Sequence, residues 1–126
     1  MNNSNRFTLS GRIRSFRFAF IGIAEMIKTQ HNARVHLVAS ITVIAAGISL
    51  NISNVEWCFL ILAIFSVWVA EALNTAFELL CDVASPEFHP LVKKSKDVAA
   101  GAVLLSAIGT VCIGLVIFIP YLQNYI

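Results

Sequence analysis

The segment from Val69 to Asp82 carries acidic and amide side chains inside a strongly apolar stretch of the chain. It reads V-A-E-A-L-N-T-A-F-E-L-L-C-D. In an α-helix, successive residues are 100° apart, so Glu71, Asn74, Glu78 and Asp82 fall on one face within roughly 60° of one another. A carboxylate in such a row can act as a proton acceptor. This face is therefore the candidate for the chain's chemistry.

The composition indicates that a lipid bilayer surrounds this face. Of the 126 residues, 58% are hydrophobic and only 13% are charged. A soluble domain of this length needs more polar surface, because its ratio of surface to volume is high. The length fits one domain, residues 1–126, and the formal charge of +2 does not indicate a nucleic-acid partner.

Hydropathy predicts an all-α membrane protein. Residues 1–11 are polar and are expected to be loose, and residues 12–28 have the apolar period of an amphipathic helix that lies on the membrane surface. Three apolar spans at about 31–50, 55–84 and 97–120 are predicted to be transmembrane helices. The second is longer than a hydrocarbon core of ~30 Å, so its last turns should project into water. Pro86 and Pro120 are expected to end the second and third spans.

The basic residues predict the orientation. All nine Lys and Arg residues lie before the first span, at its start or in the second loop. The positive-inside rule then places the N-terminus and the second loop in the cytoplasm and the C-terminus outside. Glu71 would lie near the inner hydrocarbon boundary, where a carboxylate is costly and by default functional. For Asp82, an acid that simply points to water from a long helix is an equal alternative.

The second loop supplies polar side chains that could contact a phosphate. Lys96 lies beside small residues, although lysines here also serve as positive-inside anchors. Asp97 is suited to be the N-cap of the third helix, and His89 is either a phosphate contact or an interfacial residue. Small side chains around Ala100 permit close backbone approach. The sequence has no G-x-x-x-x-G-K-[ST] motif, so helix ends and side chains would have to hold any nucleotide.

Two motifs together resemble the prokaryotic diacylglycerol kinase and undecaprenol kinase family. They are E-A-L-N-T-A-F-E-L-L-C-D at 71–82 and H-P-L-V-K-K-S-K-D-V-A-A-G-A-V-L at 89–104, and the resemblance extends from about Phe18 to Pro120. It implies a homotrimer in the bacterial inner membrane, each chain with a surface helix and three transmembrane helices. It also implies phosphorylation of a lipid alcohol, diacylglycerol or undecaprenol, with ATP and Mg²⁺.

The resemblance implies a role for each matching residue. Glu71 would be the catalytic base for the lipid hydroxyl, and Glu78 would bind the magnesium that bridges the ATP phosphates. The family's second metal-binding glutamate aligns with Gln30, which offers a carbonyl oxygen but no charge. The remaining implied contacts are with the nucleotide, at Glu78, Glu87, His89, Lys96 and Asp97, and with the substrate or the site itself, at Asn74, Asp82, Arg34 and Ala100.

Two other classes of protein compete with the kinase. Glu71 and Glu78 would also suit a proton- or ion-conducting pore without enzymatic activity, since intramembrane acids form proton relays. A scaffold subunit could pair these acids with basic residues of a partner. The second loop favours the kinase, because a pore has no need of His89, Lys96 and Asp97 placed together. The segments 34–36 and 89–103 look closer to the undecaprenol branch, but the choice of lipid stays open.

Overall fold

The structure, a computed structural model, describes residues 8–124. Within that range the chain forms four α-helices: α1 at Leu9–Thr29, α2 at His31–Leu50, α3 at Asn54–Ala84 and α4 at Pro90–Gln123. Of the helices described, α2, α3 and α4 are each long and apolar enough to cross a membrane. The prediction of an all-α fold with three such helices is confirmed.

Helix α1 begins earlier than predicted. Residues 1–7, which were expected to be loose, lie outside the described part of the chain. Thr8 is the N-cap, and its Oγ1 accepts a hydrogen bond from the Gly11 N–H at 3.2 Å. A threonine cap satisfies a backbone donor that the first turn leaves unpaired. The expectation of loose chain is therefore wrong for residues 9–11. Phe16 and Phe20 of α1 are largely exposed, as suits a helix that rests on lipid.

A tight turn joins α2 to α3. Asn51 has φ = 52°, the left-handed conformation that often ends a helix. Ser53 and Glu56 then form a capping box at the start of α3, in which each side chain accepts a hydrogen bond from the other's backbone N–H. Tyr121 of α4 donates its hydroxyl proton to the same Glu56 carboxylate, at 2.7 Å. This end of the bundle is therefore tied together by one acidic side chain.

Helix α3 is the centre of the fold, because the other three helices pack against it. Polar side chains fix its position against α4 at mid-helix: the hydroxyls of Ser66 and Ser106 lie 2.9 Å apart, and Thr110 donates to the carbonyl oxygen of Ala63 at 3.1 Å. Such hydrogen bonds between membrane helices contribute about 0.6 kcal/mol each on average. They set the register between α3 and α4.

The third transmembrane helix, α4, starts at Pro90 rather than near residue 97. His89 is its N-cap, with Nδ1 accepting a hydrogen bond from the Leu91 N–H at 3.2 Å. Proline fits the first helical position because its missing N–H would be unpaired there anyway. Asp97 is therefore not the N-cap; it lies inside the helix and forms a 2.7 Å ion pair with Lys93, one turn earlier.

Pro120 does not end α4, contrary to the prediction. The helix continues to Gln123. A proline removes one backbone hydrogen bond and crowds the carbonyl four residues before it, but membrane helices tolerate proline where neighbouring groups satisfy the freed backbone. The helix ends only three residues later, so few further bonds are affected. By contrast, Ser85 ends α3 directly before Pro86, as predicted.

The contact between Gly47 and Trp57 gives a test of this packing. A methyl group at Gly47 would lie 2.9 Å from Cη2 of Trp57 and 3.1 Å from Cδ1 of Ile52. We expect Gly47→Ala to lower the free energy of unfolding by about 1–3 kcal/mol, because an overpacked site forces its neighbours to shift. Equilibrium unfolding in detergent with added denaturant measures this change. Gly109→Ala is the control, since open space surrounds that position. Equal losses from the two variants would contradict the packing described.

Candidate functional site

The acidic face of α3 contains the buried polar side chains of the described chain. Glu71 is 1% exposed, and Asn74 and Thr75 are each 7% exposed. One oxygen of each side chain is buried and has no hydrogen-bond partner among the residues described: Oε2 of Glu71, Oδ1 of Asn74 and Oγ1 of Thr75. An unpaired buried polar atom costs roughly 1–3 kcal/mol. Of the three residues, Glu71 and Asn74 line a groove, so their unpaired oxygens are candidates for contact with a ligand.

A half-open groove of about 260 Å³ gives access to this face. It is lined by residues of α2, α3 and α4, with Glu71, Asn74 and Glu78 as its polar part on α3. Most of the remaining lining is apolar, from Val35, Val103, Leu104 and Ala107, and Ala100 also contributes. Apolar walls around a few polar groups are typical of a small-molecule site. This groove suits a molecule with a polar head and an apolar chain.

Helix α2 brings its own polar face to the groove. Asn32, His36 and Ser40 are spaced four residues apart and therefore lie on one side of α2. His36 Nε2 is 3.9 Å from Glu71 Oε2. Neither Asn32 nor Thr75 nor the contact between His36 and Glu71 was predicted from the sequence. The four-residue spacing on α2 is the signal that could have found Asn32 and His36, and Thr75 follows Glu71 by four residues on α3.

Trp68 and Ser40 fix the position of His36 along the axis of α3. The indole Nε1–H of Trp68 donates to Ser40 Oγ at 3.1 Å. The Ser40 hydroxyl in turn donates to the carbonyl oxygen of His36 at 2.7 Å. Since Trp68 is one turn from Glu71 on the same helix, this chain of hydrogen bonds sets the register of α2 beside the buried carboxylate.

The oxygen atoms on α3 suit a magnesium ion that arrives together with a phosphate. Asn74 Nδ2 donates to Glu78 Oε1 at 3.4 Å, which leaves the buried Asn74 Oδ1 unpaired. Within residues 8–124, no group of three or more His, Cys, Asp or Glu side chains could hold a metal by itself. Mg²⁺ is commonly held by one or two carboxylates with waters and substrate phosphates rather than by a complete protein cage. The donor set therefore fits this ion.

An ion pair joins α3 to α4 beyond the groove. Lys96 of α4 bonds to the Asp82 carboxylate of α3, and both side chains are accessible to solvent. Exposed pairs of this kind contribute little to stability. The pair nevertheless places a cation and a carboxylate on the polar continuation of the face that carries Glu71 and Glu78.

Two of the predicted residues cap helix α4 or lie in the connection before it. The ring of His89 caps α4, as described above. Glu87 is exposed, and its backbone carbonyl accepts a hydrogen bond from Ser85 Oγ at 3.0 Å. Neither side chain lines the groove. In a single chain, the groove that contains Glu71 is thus not lined by Glu87, His89, Lys96 or Asp97.

The junction between α1 and α2 holds two further predicted residues. Arg34 donates from Nε to the carbonyl oxygen of Ile27 at 3.3 Å and from Nη2 to that of Lys28 at 2.9 Å. A cation at these carbonyls satisfies the unpaired end of α1. Gln30 is the half-buried residue between the two helices, and its side chain makes no capping hydrogen bond. Neither residue lines the groove.

Comparison with known proteins places the chain in a family. Residues 17–118 match the model of the prokaryotic diacylglycerol kinases. The chain is 39% identical over 121 residues to an undecaprenol kinase of Bacillus subtilis, which covers 96% of this chain and 94% of that protein. It is 38% identical over 111 residues to a diacylglycerol kinase of Synechocystis, covering 87% of this chain and 63% of that protein.

A shorter match agrees with these. A diacylglycerol kinase of Helicobacter pylori is 45% identical over 53 residues, covering 42% of this chain and 41% of that protein. The matched family model spans every residue that lines the groove, on all three of its helices. The groove therefore lies entirely within the region that matches the family. The chain belongs to the prokaryotic diacylglycerol kinase family and is a membrane protein of the lipid kinase class.

Proposed function

We propose that this kinase transfers the terminal phosphate of ATP to the hydroxyl group of a membrane lipid alcohol, either diacylglycerol or undecaprenol. The observation that carries this proposal is the buried Glu71 carboxylate, which faces a groove with apolar walls. Relatives of similar identity are named after each of the two lipids. A pore or a scaffold has no corresponding support from the relatives.

The reaction follows from the chemistry of the groove residues. The hydroxyl of the lipid lies in the groove with its chain along Val103 and Leu104, and Glu71 accepts the hydroxyl proton. The alcohol oxygen forms a bond to the terminal phosphorus of ATP while the bond from that phosphorus to the oxygen of ADP breaks. Phosphoryl transfer of this kind depends mainly on positioning and on stabilisation of phosphate charge. Exclusion of water by the apolar walls favours the lipid hydroxyl over hydrolysis.

Glu78 and Asn74 are the residues that would hold magnesium with the nucleotide. When bound, the ion neutralises negative charge on the phosphates. Gln30 is a weaker candidate, because an amide oxygen brings no charge. Glu87, His89, Lys96 and Asp97 are proposed nucleotide contacts on the polar side of the molecule. Asp82 supports them through its bond to Lys96, while Arg34 and Ala100 support the groove and the lipid.

The proposed enzyme has a defined membrane location, orientation and oligomeric state. Residues 1–126 act as one catalytic domain in the bacterial inner membrane, with the N-terminus and the loop before α4 in the cytoplasm and the C-terminus outside. The positive-inside distribution of Lys and Arg supports this orientation. The groove of about 260 Å³ is below the ~300–1,000 Å³ of typical ligand sites. That small volume supports sites completed by neighbouring chains of a homotrimer.

The direct test of the activity uses the purified full chain in lipid vesicles with Mg²⁺ and ATP labelled on its terminal phosphate. Diacylglycerol and undecaprenol are offered in parallel, each beside the same lipid with its hydroxyl acetylated. We expect label to appear in the free alcohols and not in the acetylated ones. The lipid with the higher kcat/KM identifies the substrate, and no transfer to either alcohol would reject the proposal.

Glu71→Gln tests the proposed base. Glutamine has nearly the same shape but cannot take up the proton, so we expect kcat to fall by about 100-fold or more. The variant should keep its helix content and elution volume in detergent, because it removes a buried charge without changing the packing. The matched control is Glu56→Gln, an acid on the same helix at the opposite end of the bundle. A Glu71→Gln enzyme that turned over as fast as the parent would show that Glu71 is not the base.

Gln30→Glu tests the departure at the second metal position. If Gln30 lies beside the ion in the assembled enzyme, a carboxylate there adds charge and should lower the Mg²⁺ concentration that gives half-maximal rate. The measurement is a magnesium titration at fixed ATP for both proteins. An unchanged midpoint would mean that residue 30 does not contact the metal.

A further inference from the structure

His36 is the polar side chain of α2 that lies beside the proposed base. Its Nε2 is 3.9 Å from Glu71 Oε2, and the ring is 18% exposed while Glu71 is 1% exposed. This distance exceeds that of a hydrogen bond by roughly 1 Å. Catalytic hydrogen bonds are often long in the absence of substrate and shorten in the complex. A small rotation of the ring or one bridging water would connect the two groups.

The carboxylate has no other partner at that atom within the described residues. Glu71 Oε2 is buried and makes no hydrogen bond. An ionised carboxylate held in an apolar environment is unfavourable unless a donor compensates it. His36 can supply this donor from Nε2–H in the neutral form of the ring, so it does not need to carry a charge.

The backbone of His36 is held more firmly than its ring. Its carbonyl oxygen accepts from Ser40, whose hydroxyl oxygen accepts from the Trp68 indole. Trp68 and Glu71 are three residues apart on α3 and thus lie on nearly the same face. The α2–α3 contact therefore places the imidazole beside the carboxylate, with Nε2 3.9 Å from Glu71 Oε2.

We propose that His36 is a positioning residue that donates a hydrogen bond from Nε2–H to Glu71 Oε2. This bond fixes the rotamer of Glu71 and leaves its other oxygen to accept the proton of the lipid hydroxyl. The inference rests on the proposed function, since it concerns the base of that reaction. His36 lines the same groove as Glu71, and its proposed role is to act on the reaction through Glu71.

The experiment compares five variants of the full chain with the parent in the same vesicle assay, and the fifth, His36→Ala, is used for rescue by added imidazole. His36→Leu removes the donor and keeps an apolar side chain in the membrane. His36→Gln retains an N–H close to the position of Nε2. The side chain of His36→Asn is one methylene shorter, so its N–H does not reach that position. His31→Leu is the matched control, because His31 is an exposed histidine in the first turn of the same helix.

We expect kcat of His36→Leu to fall about 10- to 100-fold, the range seen when the partner of a functional side chain is removed. KM for ATP should stay within about twofold, because the nucleotide contacts lie elsewhere. His36→Gln should recover most of the lost rate, His36→Asn should not, and His31→Leu should match the parent. Added imidazole should restore part of the rate of a His36→Ala chain.

The outcomes separate this inference from the proposed function. If the parent transfers phosphate and His36→Leu is equally active, His36 does not position the base and the inference is overturned. Equal rates for the Gln and Asn variants would also overturn it, since a general packing role would not distinguish them. If the His36→Leu chain fails to insert into the membrane, the comparison of His36→Gln with His36→Asn tests the inference in its place. A parent chain that is inactive on both lipids rejects the proposed function itself.

Discussion

The energetic cost of burying the Glu71 carboxylate is the constraint on which the rest of the structure depends. Glu71 is 1% exposed and lies well inside α3, a helix of 31 residues, so water does not compensate its charge. A long α3 is needed both to cross the hydrocarbon and to carry the same face onward to Glu78 and Asp82 at the polar side. In the proposed function, this one continuous helix would connect the apolar site of the lipid with the aqueous site of the nucleotide.

Helices α2 and α4 pack against α3 on either side of the buried Glu71. On one side, Trp68 and Ser40 fix α2 against α3; on the other, the hydroxyls of Ser66 and Ser106 fix α4. Each bond is individually weak in a membrane, but together they fix the axial positions of α2, α3 and α4 around the groove. Apolar side chains form most of the walls around the carboxylate, and the groove is half open. Packing and chemistry are therefore set by the same few hydrogen bonds.

The sequence predicted what depends on periodicity and hydropathy, and it missed what depends on helix ends and contacts between helices. The acidic face of α3 and the three apolar helices follow from a 3.6-residue period and from the bilayer's demand for apolar side chains. The sequence placed the start of α4 near residue 97 instead of at Pro90, because the lysine-rich stretch between them resembles a loop. Hydropathy detects only the apolar part of a helix and misses turns that extend into water. The bonds from Arg34 to α1 depend on the angle between two helices. The nearness of His36 to Glu71 depends on their packing.

The central claim is that a lipid hydroxyl lies in the groove beside Glu71. The most direct measurement uses a lipid alcohol with a photoreactive diazirine on the carbon next to the hydroxyl, irradiated with the full chain in vesicles and mapped by mass spectrometry. The account predicts adducts on the groove segments 32–36, 71–78 and 100–107, and their loss when excess unlabelled alcohol competes. Competable adducts confined to the opposite end of the bundle, at 55–59 and 112–117, would contradict it.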